Sequence, residues 1–256
     1  MNTKRLFSPY TPNNTHPGFS VDCVILSFYK KKIRILLNQL GLNNYWQLPG
    51  GFMLNNESAD EAAGRILTAR TGLKGIYLKQ FHLFSDPQRT MIEQNIELIA
   101  KGLNKDAHLI EEKNGYLQRS VSLGYYALVR YDDIQLFKTE EIETDWFEID
   151  NLPYLYSDHE DIIKTSLKTI RSMLPAIPIG RKILPEKFTM SELRMMYEII
   201  LGKKLDRRNF QRKVLTSGLV IQLDETKSTS TYNPPNLYTF DKKTENILYH
   251  PFGTLK

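Results

Sequence analysis

The chain has 256 residues, of which 41% are hydrophobic, so it is long enough for one large or two ordinary domains with a well-formed core. Its single cysteine, Cys23, excludes an internal disulfide and fits a reducing compartment. The sequence contains no apolar run of transmembrane length and no secretory segment at its N terminus. We therefore expect a cytoplasmic protein without a membrane partner.

The formal charge of +5 is unevenly distributed. Residues 181–256 contain 14 Lys and Arg against 8 Asp and Glu, whereas the rest of the chain contains 20 against 21. A basic surplus of this kind indicates an anionic partner for the C-terminal third, although an ordinary solvated surface is the alternative.

The N-terminal residues, 1–17, are polar and rich in Asn, Pro and Thr, which predicts a flexible arm. Two apolar runs rich in β-formers follow at 19–28 and 33–40. The polar residues 29–32 between them predict a β-hairpin. This hairpin begins a first predicted domain at residues 18–174.

Residues 46–73 combine a strand end, a double-glycine turn and a helix. Ser58, with Glu61 three residues later, forms a capping-box pattern that predicts a helix from about Ala59. Gly72, just beyond the last periodic residue, is typical of a helix end.

This segment resembles the Nudix box, and the matching positions are Gly51, Glu57, Arg65, Leu67, Gly72 and Leu73. The places of the three glutamates that hold divalent metals in that family are occupied by Ile66, Ala69 and Arg70. Magnesium prefers carboxylate oxygens, and a cation such as Arg70 would oppose it. The resemblance therefore implies a Nudix fold with no catalytic residues, no metal and no cofactor.

Two acidic residues and one ion pair in the same segment have alternative roles. We interpret Asp60 and Glu61 as residues that favour the helix N terminus rather than as replacement metal ligands. The resemblance implies that Glu57 and Arg65 brace the loop against the helix.

The rest of the first domain alternates strand and helix patterns. Strands are predicted at 76–84, 117–131 and 145–149, and a helix follows Pro153 with apolar residues up to Met173. Together with the Nudix box, they predict an α/β/α sandwich. The segment 88–116 begins as a helix and continues as a loop, and it is longer than the usual Nudix connection. It could line a pocket, form a subunit contact or decorate the surface.

The prolines at 175 and 178 indicate a linker before a second predicted domain, residues 175–256. Thr189 and Glu192 form another capping-box pattern before an amphipathic helix that ends at Gly202. Asp206 would cap a second helix whose inward residues are Phe210, Val214 and Leu215. Two strands around a polar loop follow, at 219–223 and 237–240. This order is typical of a winged helix-turn-helix, so the predicted fold class is α+β.

The second helix of this domain would present basic and amide side chains outward. Such residues at the start of a recognition helix suit base edges and phosphates, which predicts binding to double-stranded operator DNA. The candidate DNA-binding residues are Arg207, Arg208, Asn209, Gln211, Arg212 and Lys213. A basic accessory domain that docks on protein is the alternative.

The two domains in this order resemble the Nudix-related transcriptional regulators. That resemblance implies a dimeric repressor whose Nudix-like domain senses a small metabolite. One branch of the family senses ADP-ribose, and another contains arabinose-responsive regulators of gut bacteria. The insertion at 88–116 favours the second branch, so the expected effector is a sugar such as L-arabinose. The alternatives are an ADP-ribose-sensing regulator and a Nudix pyrophosphohydrolase with an accessory domain.

By position, the effector should lie between the early strands, the double-glycine turn and the strand that contains Tyr126. Polar side chains near aromatic rings would suit a sugar. The candidate effector-binding residues are Asp22, Gln47, Phe84, Asp86, Tyr126 and His159. For Asp158 and His159, helix capping beside a buried imidazole is the alternative.

Overall fold

The computed structural model describes residues 15–40, 45–103, 119–136, 138–139, 142–173, 179–228 and 234–242. The strands are β1 (Thr15–Tyr29), β2 (Lys32–Leu40), β3 (Trp46–Gln47), β4 (Gly50–Leu54), β5 (Lys79–Phe84), β6 (Val121–Leu128), β7 (Ile142–Glu148), β8 (Phe188–Thr189), β9 (Val220–Thr226) and β10 (Asn236–Phe240). The helices are α1 (Ala59–Thr71), α2 (Ile92–Leu103), α3 (His159–Met173), α4 (Ile179–Ile183), α5 (Met190–Leu201) and α6 (Arg207–Thr216).

The chain divides into two compact units. The first comprises the described parts of 1–26, 35–127 and 134–166, and the second those of 27–34, 128–133 and 167–256. The predicted domain ranges, 18–174 and 175–256, remain predictions. None of the described helices is long and apolar enough to cross a membrane.

The first unit is organised around a seven-stranded sheet in the order β3-β2-β1-β6-β5, to which β4 adds by pairing with β1 and β7 by pairing with β2. The long central strand β1 is almost wholly buried from Val21 to Phe28, which explains its uninterrupted apolar sequence. The predicted hairpin is confirmed. Lys30 and Lys31 both have positive φ, which a two-residue type I′ hairpin turn requires at its two central positions.

The prediction of a flexible arm is wrong for residues 15–17, which belong to β1. Thr15 pairs through its main chain with Leu54 of β4. Backbone pairing rather than apolar side chains places this segment in the sheet, so composition gave no sign of it. Residues 1–14 lie outside the described residues.

Helix α1 has the predicted ends. Ser58 accepts a hydrogen bond from the Glu61 amide, Glu61 caps the Ser58 amide in return, and Gly72 is left-handed with φ 74°. The bracing pair is also present, because Arg65 Nε donates to Glu57 Oε2 at 2.8 Å. Glu57 in turn accepts from the Leu54 amide at 2.7 Å, which fixes the loop between β4 and α1.

The other predicted elements of this unit are present with different bounds. The first half of the 88–116 segment forms α2, and its second half lies outside the described residues. Strand β5 begins at Lys79, three residues after the predicted start, and β7 begins at Ile142, three residues before it.

The second unit contains a helix pair and a three-stranded sheet in the order β8-β10-β9. Thr189 and Glu192 form the predicted capping box, and Gly202 ends α5 in the left-handed region. Asp206 caps α6 by accepting from the Asn209 amide at 2.8 Å. The predicted winged helix-turn-helix order is therefore confirmed for its described elements.

One inward residue of α6 was predicted wrongly. Phe210 and Val214 are buried, but Leu215 is 41% exposed. A step of one residue turns a helix by about 100°, so a short helix that buries positions 210 and 214 turns position 215 away from the core.

The turn between α5 and α6 is fixed by a carboxylate that the sequence analysis did not single out. Glu198 is 6% exposed, and its Oε1 accepts from the Leu205 amide at 2.9 Å and from Arg194 Nη1 at 2.9 Å. Burial opposes ionisation of Glu198, but the Leu205 amide, Arg194 and Lys204 together hold its pKa below the usual 4.5. The ionised carboxylate thus sets where α6 begins.

We therefore predict that Glu198→Gln lowers the free energy of opening of the α5–α6 pair by roughly 1–2 kcal/mol at about pH 7, because a charge-assisted hydrogen bond becomes neutral. The folded-state pKa is depressed, so the ionised group stabilises fully above about pH 4.5 and its contribution is lost as the pH falls through the folded-state pKa. The difference between wild type and variant should therefore shrink in acid. Hydrogen exchange of the α5 and α6 amides measures it.

The matched control is Glu186→Gln, which neutralises an exposed glutamate of the same unit and should change stability by less than about 0.5 kcal/mol. An unchanged opening free energy in Glu198→Gln, or a difference that grows as the pH falls, would contradict this role.

Candidate effector cavity and DNA-binding helix

A polar cavity of about 80 Å³ lies in the first unit, where β1 and β4 meet the segment after β5 and the N terminus of α3. Its wall combines a carboxylate and an imidazole with two guanidinium groups, an amide and several hydroxyl groups. The charged and polar side chains include Asp22, Gln47, Arg70, Arg89, Thr90 and His159.

The position of Asp22 depends on the first glycine of the double-glycine turn. Asp22 of β1 pairs in register with Gly50 of β4. A Cβ atom at position 50 would lie only 2.1 Å from Asp22 Oδ1. The missing side chain therefore provides the space that the Asp22 carboxylate occupies, while Oδ2 accepts from Ser122 Oγ at 2.5 Å.

Arg89 connects three segments around the cavity. Its Nε and Nη2 atoms both donate to the Asp158 carboxylate at 2.9 Å, and its Nη1 donates to the Ser120 carbonyl at 3.1 Å. Asp22 Oδ2 lies 3.8 Å from Nη2. Burial raises the pKa of Asp158, and the Arg89 guanidinium opposes that rise. The Asp158 side chain therefore forms a buried ion pair with Arg89.

His159 is held in one tautomer. The Leu48 amide donates to its Nδ1 at 3.0 Å, so the neutral ring carries its proton on Nε2, which lies 3.6 Å from Asp22 Oδ1. Burial lowers the pKa of His159, while Asp22 and Asp158 oppose that shift. The imidazole is thus a neutral donor near pH 7, and its partner is the cavity carboxylate.

The residues at the glutamate positions of the Nudix box do not fit a metal ion. Ile66 packs under Gly51, with its Cγ1 3.4 Å from where a Cβ would lie, and Ala69 offers no oxygen. Arg70 is buried and donates from Nε to the Gly50 carbonyl at 3.1 Å. A guanidinium thus occupies this part of the wall.

The acidic side chains of the α1 segment have other partners. Glu57 binds Arg65, Glu61 caps the helix, and Asp60 accepts from the Tyr125 hydroxyl at 2.5 Å. Within the described ranges, no group of three or more His, Cys, Asp or Glu side chains is arranged to hold a metal.

The structure brings together half of the predicted effector residues. Asp22, Gln47 and His159 line the cavity, whereas Phe84, Asp86 and Tyr126 do not. Tyr126 lies four residues along β6 from Ser122, a distance of roughly 13 Å, and packs beside Phe81.

The other two predicted residues outside the cavity lie at the end of β5. Phe84 packs with Phe81 over Gly124. Asp86 is exposed and accepts from the Gln88 amide in a turn.

The lining residues that the sequence prediction did not include are led by three polar side chains, those of Arg70, Arg89 and Thr90. The last two lie in a short turn before α2, where neither periodicity nor a motif distinguishes them. Arg70 was noted only as a residue that opposes a metal. Its burial at 6% exposure follows from its place on the inward face of α1, one turn after Ile66.

The six predicted DNA-binding residues lie within the first seven positions of α6. Arg207, Arg208, Asn209 and Arg212 are exposed, and Gln211 and Lys213 are half-buried. Asn209 Oδ1 accepts from Arg212 Nη2 at 3.0 Å, which orders both side chains. The N-terminal half of α6 therefore offers a cluster of cationic donors to solvent.

Known proteins are similar to this chain in both its first unit and its winged helix unit. Residues 180–240 match the family model described as the NrtR DNA-binding winged helix domain. The ADPR responsive transcriptional repressor NtrR of Acinetobacter baylyi is 27% identical over 233 residues, which cover 88% of this chain and 82% of that protein. An ADP-ribose pyrophosphatase of Methanocaldococcus jannaschii is 27% identical over 156 residues, covering 60% of this chain and 75% of that protein.

The crystal structure of Shewanella oneidensis NrtR has a TM-score of 0.64 to this chain at 22% identity, covering 91% of this chain and 97% of that one. This likeness confirms the predicted α+β fold, a Nudix-like domain with a winged helix domain. The chain is therefore similar to NrtR-type regulators in fold, and its residues 180–240 match the DNA-binding winged helix domain of that family.

Proposed function

We propose that the protein is a DNA-binding transcriptional repressor whose Nudix-like domain binds ADP-ribose and does not hydrolyse it. The observation that carries this proposal is the match of residues 180–240 to a DNA-binding winged helix family, within which α6 exposes its basic N-terminal half. A repressor described as ADPR responsive matches over 88% of the chain, which supports the same pairing of DNA and effector.

On the DNA side, α6 would enter the major groove by its N-terminal residues. Arginine suits the guanine edge and phosphate, and asparagine or glutamine suits adenine. A homodimer would place two such helices about one DNA turn apart, so the operator should be roughly palindromic. ADP-ribose would release the DNA by favouring the arrangement of the dimer that binds it less well.

On the effector side, the expectation of a sugar such as L-arabinose finds no support in the comparisons, which favour the ADP-ribose alternative. The cavity agrees with a ligand that has both hydroxyl and anionic groups. Asp22 provides a carboxylate acceptor for hydroxyl donors, and Arg70 provides a cation.

A Nudix pyrophosphohydrolase remains the second candidate, because an ADP-ribose pyrophosphatase matches over 60% of the chain. The wall of the cavity argues against it. Hydrolysis of this class needs carboxylates that hold divalent metals, and positions 66, 69 and 70 provide Ile, Ala and Arg.

For the DNA-binding helix, we predict that Arg208→Ala weakens operator binding and lowers the slope of log affinity against log salt by about 1, because one phosphate contact is lost. The operator is first selected from random duplexes, and affinity is then measured by fluorescence anisotropy at several salt concentrations. Lys164→Ala is the control, since Lys164 is an exposed cation on α3. Selection that enriches no sequence would overturn the proposal.

For the cavity, we predict that ADP-ribose at about 100 times its dissociation constant stabilises the wild type by roughly 2.7 kcal/mol in the presence of EDTA. Asp22→Asn should weaken the affinity by about tenfold, since a charged acceptor becomes neutral. Asp86→Asn is the matched control, because Asp86 is an exposed aspartate outside the cavity. Titration calorimetry gives the affinities.

Two results would count against an ADP-ribose sensor. Stabilisation by L-arabinose and not by ADP-ribose would support a sugar as the effector instead. Magnesium-dependent conversion of ADP-ribose to AMP and ribose 5-phosphate, measured by chromatography, would establish the hydrolase instead.

A further inference from the structure

We propose that Arg171, in the last turn of α3, is the positioning residue through which the state of the cavity reaches the helix α6. The inference rests on the proposed function for the identity of the effector and of the DNA. It goes further by naming the helix that carries the signal and the side chain that attaches it to the helix-turn-helix.

Arg171 closes the C-terminal end of α5. Its Nε donates to the Ile200 carbonyl at 2.5 Å, and its guanidinium lies against Gly202, where a Cβ would be 3.5 Å from Nη2. The last four carbonyls of a helix have no partner inside it. The Gly202 amide satisfies those of Glu198 and Ile199, and Arg171 satisfies that of Ile200. A cation at this end of a helix also matches the helix dipole.

This contact lies directly before the turn that sets the start of α6. The Lys203 amide donates to the Glu198 carbonyl at 3.2 Å, and the Leu205 amide donates to the Glu198 carboxylate at 2.9 Å. Both bonds need the last turn of α5 to keep its place, and that is the turn that Arg171 holds. A displacement of Arg171 would therefore move the N-terminal residues of α6, where the candidate DNA-binding side chains lie.

The other end of α3 borders the cavity. Asp158, immediately before the helix, accepts two hydrogen bonds from Arg89. His159, the first residue of the helix, accepts from the Leu48 amide at 3.0 Å. A ligand that alters either contact would shift the start of α3.

Between these two ends α3 is a single continuous helix. From His159 to Arg171 it rises by about 18 Å, and its sequence contains neither glycine nor proline. Residues 159–166 belong to the first unit and residues 167–173 to the second. Because helices without such residues rarely kink, a displacement of the first turn of α3 should reach its last turn.

Three variants test the contact. Arg171→Met removes the donor and the charge with a side chain of similar length, whereas Arg171→Lys keeps a cationic donor. Lys168→Met is the matched control, because Lys168 is an exposed cation on the same helix. For each protein, titration calorimetry gives the affinity for ADP-ribose, and fluorescence anisotropy gives the affinity for the operator with and without saturating ADP-ribose. The ratio of the two operator affinities measures the coupling.

The wild type is expected to lose operator affinity by about tenfold or more in ADP-ribose, within the range typical of coupled sites. In Arg171→Met this ratio should fall below about threefold, while the affinity of the DNA-free protein for ADP-ribose stays within about twofold, since the cavity is unaltered. Arg171→Lys should give an intermediate ratio, because it keeps the charge without the planar fork. Lys168→Met should match the wild type. A merely structural role would lower the melting temperature and leave the ratio unchanged.

Hydrogen exchange measures the same contact without any ligand. The amides of Gly202, Lys203 and Leu205 should exchange about tenfold faster in Arg171→Met than in the wild type or in Lys168→Met, because the turn opens more often. The amides of α1 should exchange at the wild-type rate in all three variants.

A wild-type ratio in Arg171→Met would overturn the proposal, and so would an equal fall of the ratio in Lys168→Met. Unchanged exchange of the three turn amides would overturn it whatever the ligand. Binding of both ADP-ribose and operator without coupling in the wild type would refute the signal through Arg171 together with the proposed regulation. If the wild type does not bind ADP-ribose, the proposed effector is refuted, and the exchange rates still decide whether Arg171 holds the turn. If Arg171→Met fails to fold, the ratio in Arg171→Lys decides, and a wild-type value there would count against the proposal.

Discussion

The buried ion pair between Arg89 and Asp158 is the interaction on which the polar cavity of the first unit depends. It joins the turn before α2 to the start of α3, two segments separated by 69 positions. Removal of one member of such a pair typically costs about 3–5 kcal/mol, because the other charge is left buried and unmatched. The pair thus fixes two sides of the cavity, and Asp158 directly precedes His159, which lies beside Asp22.

The same principle operates in the winged helix domain on a smaller scale. Glu198 connects α5 to the start of α6, as Arg89 connects the turn before α2 to α3. In each unit, a buried charged side chain forms hydrogen bonds to a second segment and so fixes its position. In the winged helix domain that segment is the start of α6, and in the first unit it is one wall of the cavity. Apolar packing supplies the stability of the two units, and the buried charges supply the geometry.

Local signals in the sequence predicted much of the fold. The capping boxes at Ser58 and Thr189 and the left-handed glycines at 72 and 202 are properties of single turns, so the residues alone reveal them. The cavity was less predictable. Asp22, Gln47 and His159 come from three separate elements, and the position of Arg89 depends on a partner far along the chain. No pattern within one segment encodes such a contact.

The Nudix-box resemblance predicts the local fold well but does not predict the chemistry of the site. Gly51, Glu57 and Arg65 keep their spacing because the loop and helix need them. Positions 66, 69 and 70 carry the chemistry, and there the sequence departs from the family pattern. Arg70 shows how such a departure changes a site, because the residue that removes a metal ligand also adds a buried cation.

The contact between positions 22 and 50 has a consequence for the comparison of related chains. The Asp22 carboxylate occupies the volume of a side chain at position 50, so the two positions cannot vary independently. A relative with alanine or a larger residue at position 50 must have lost the acid at position 22 or turned it out of the cavity. The residues at positions 22 and 50 can therefore distinguish related chains that keep a carboxylate in the cavity from those that do not.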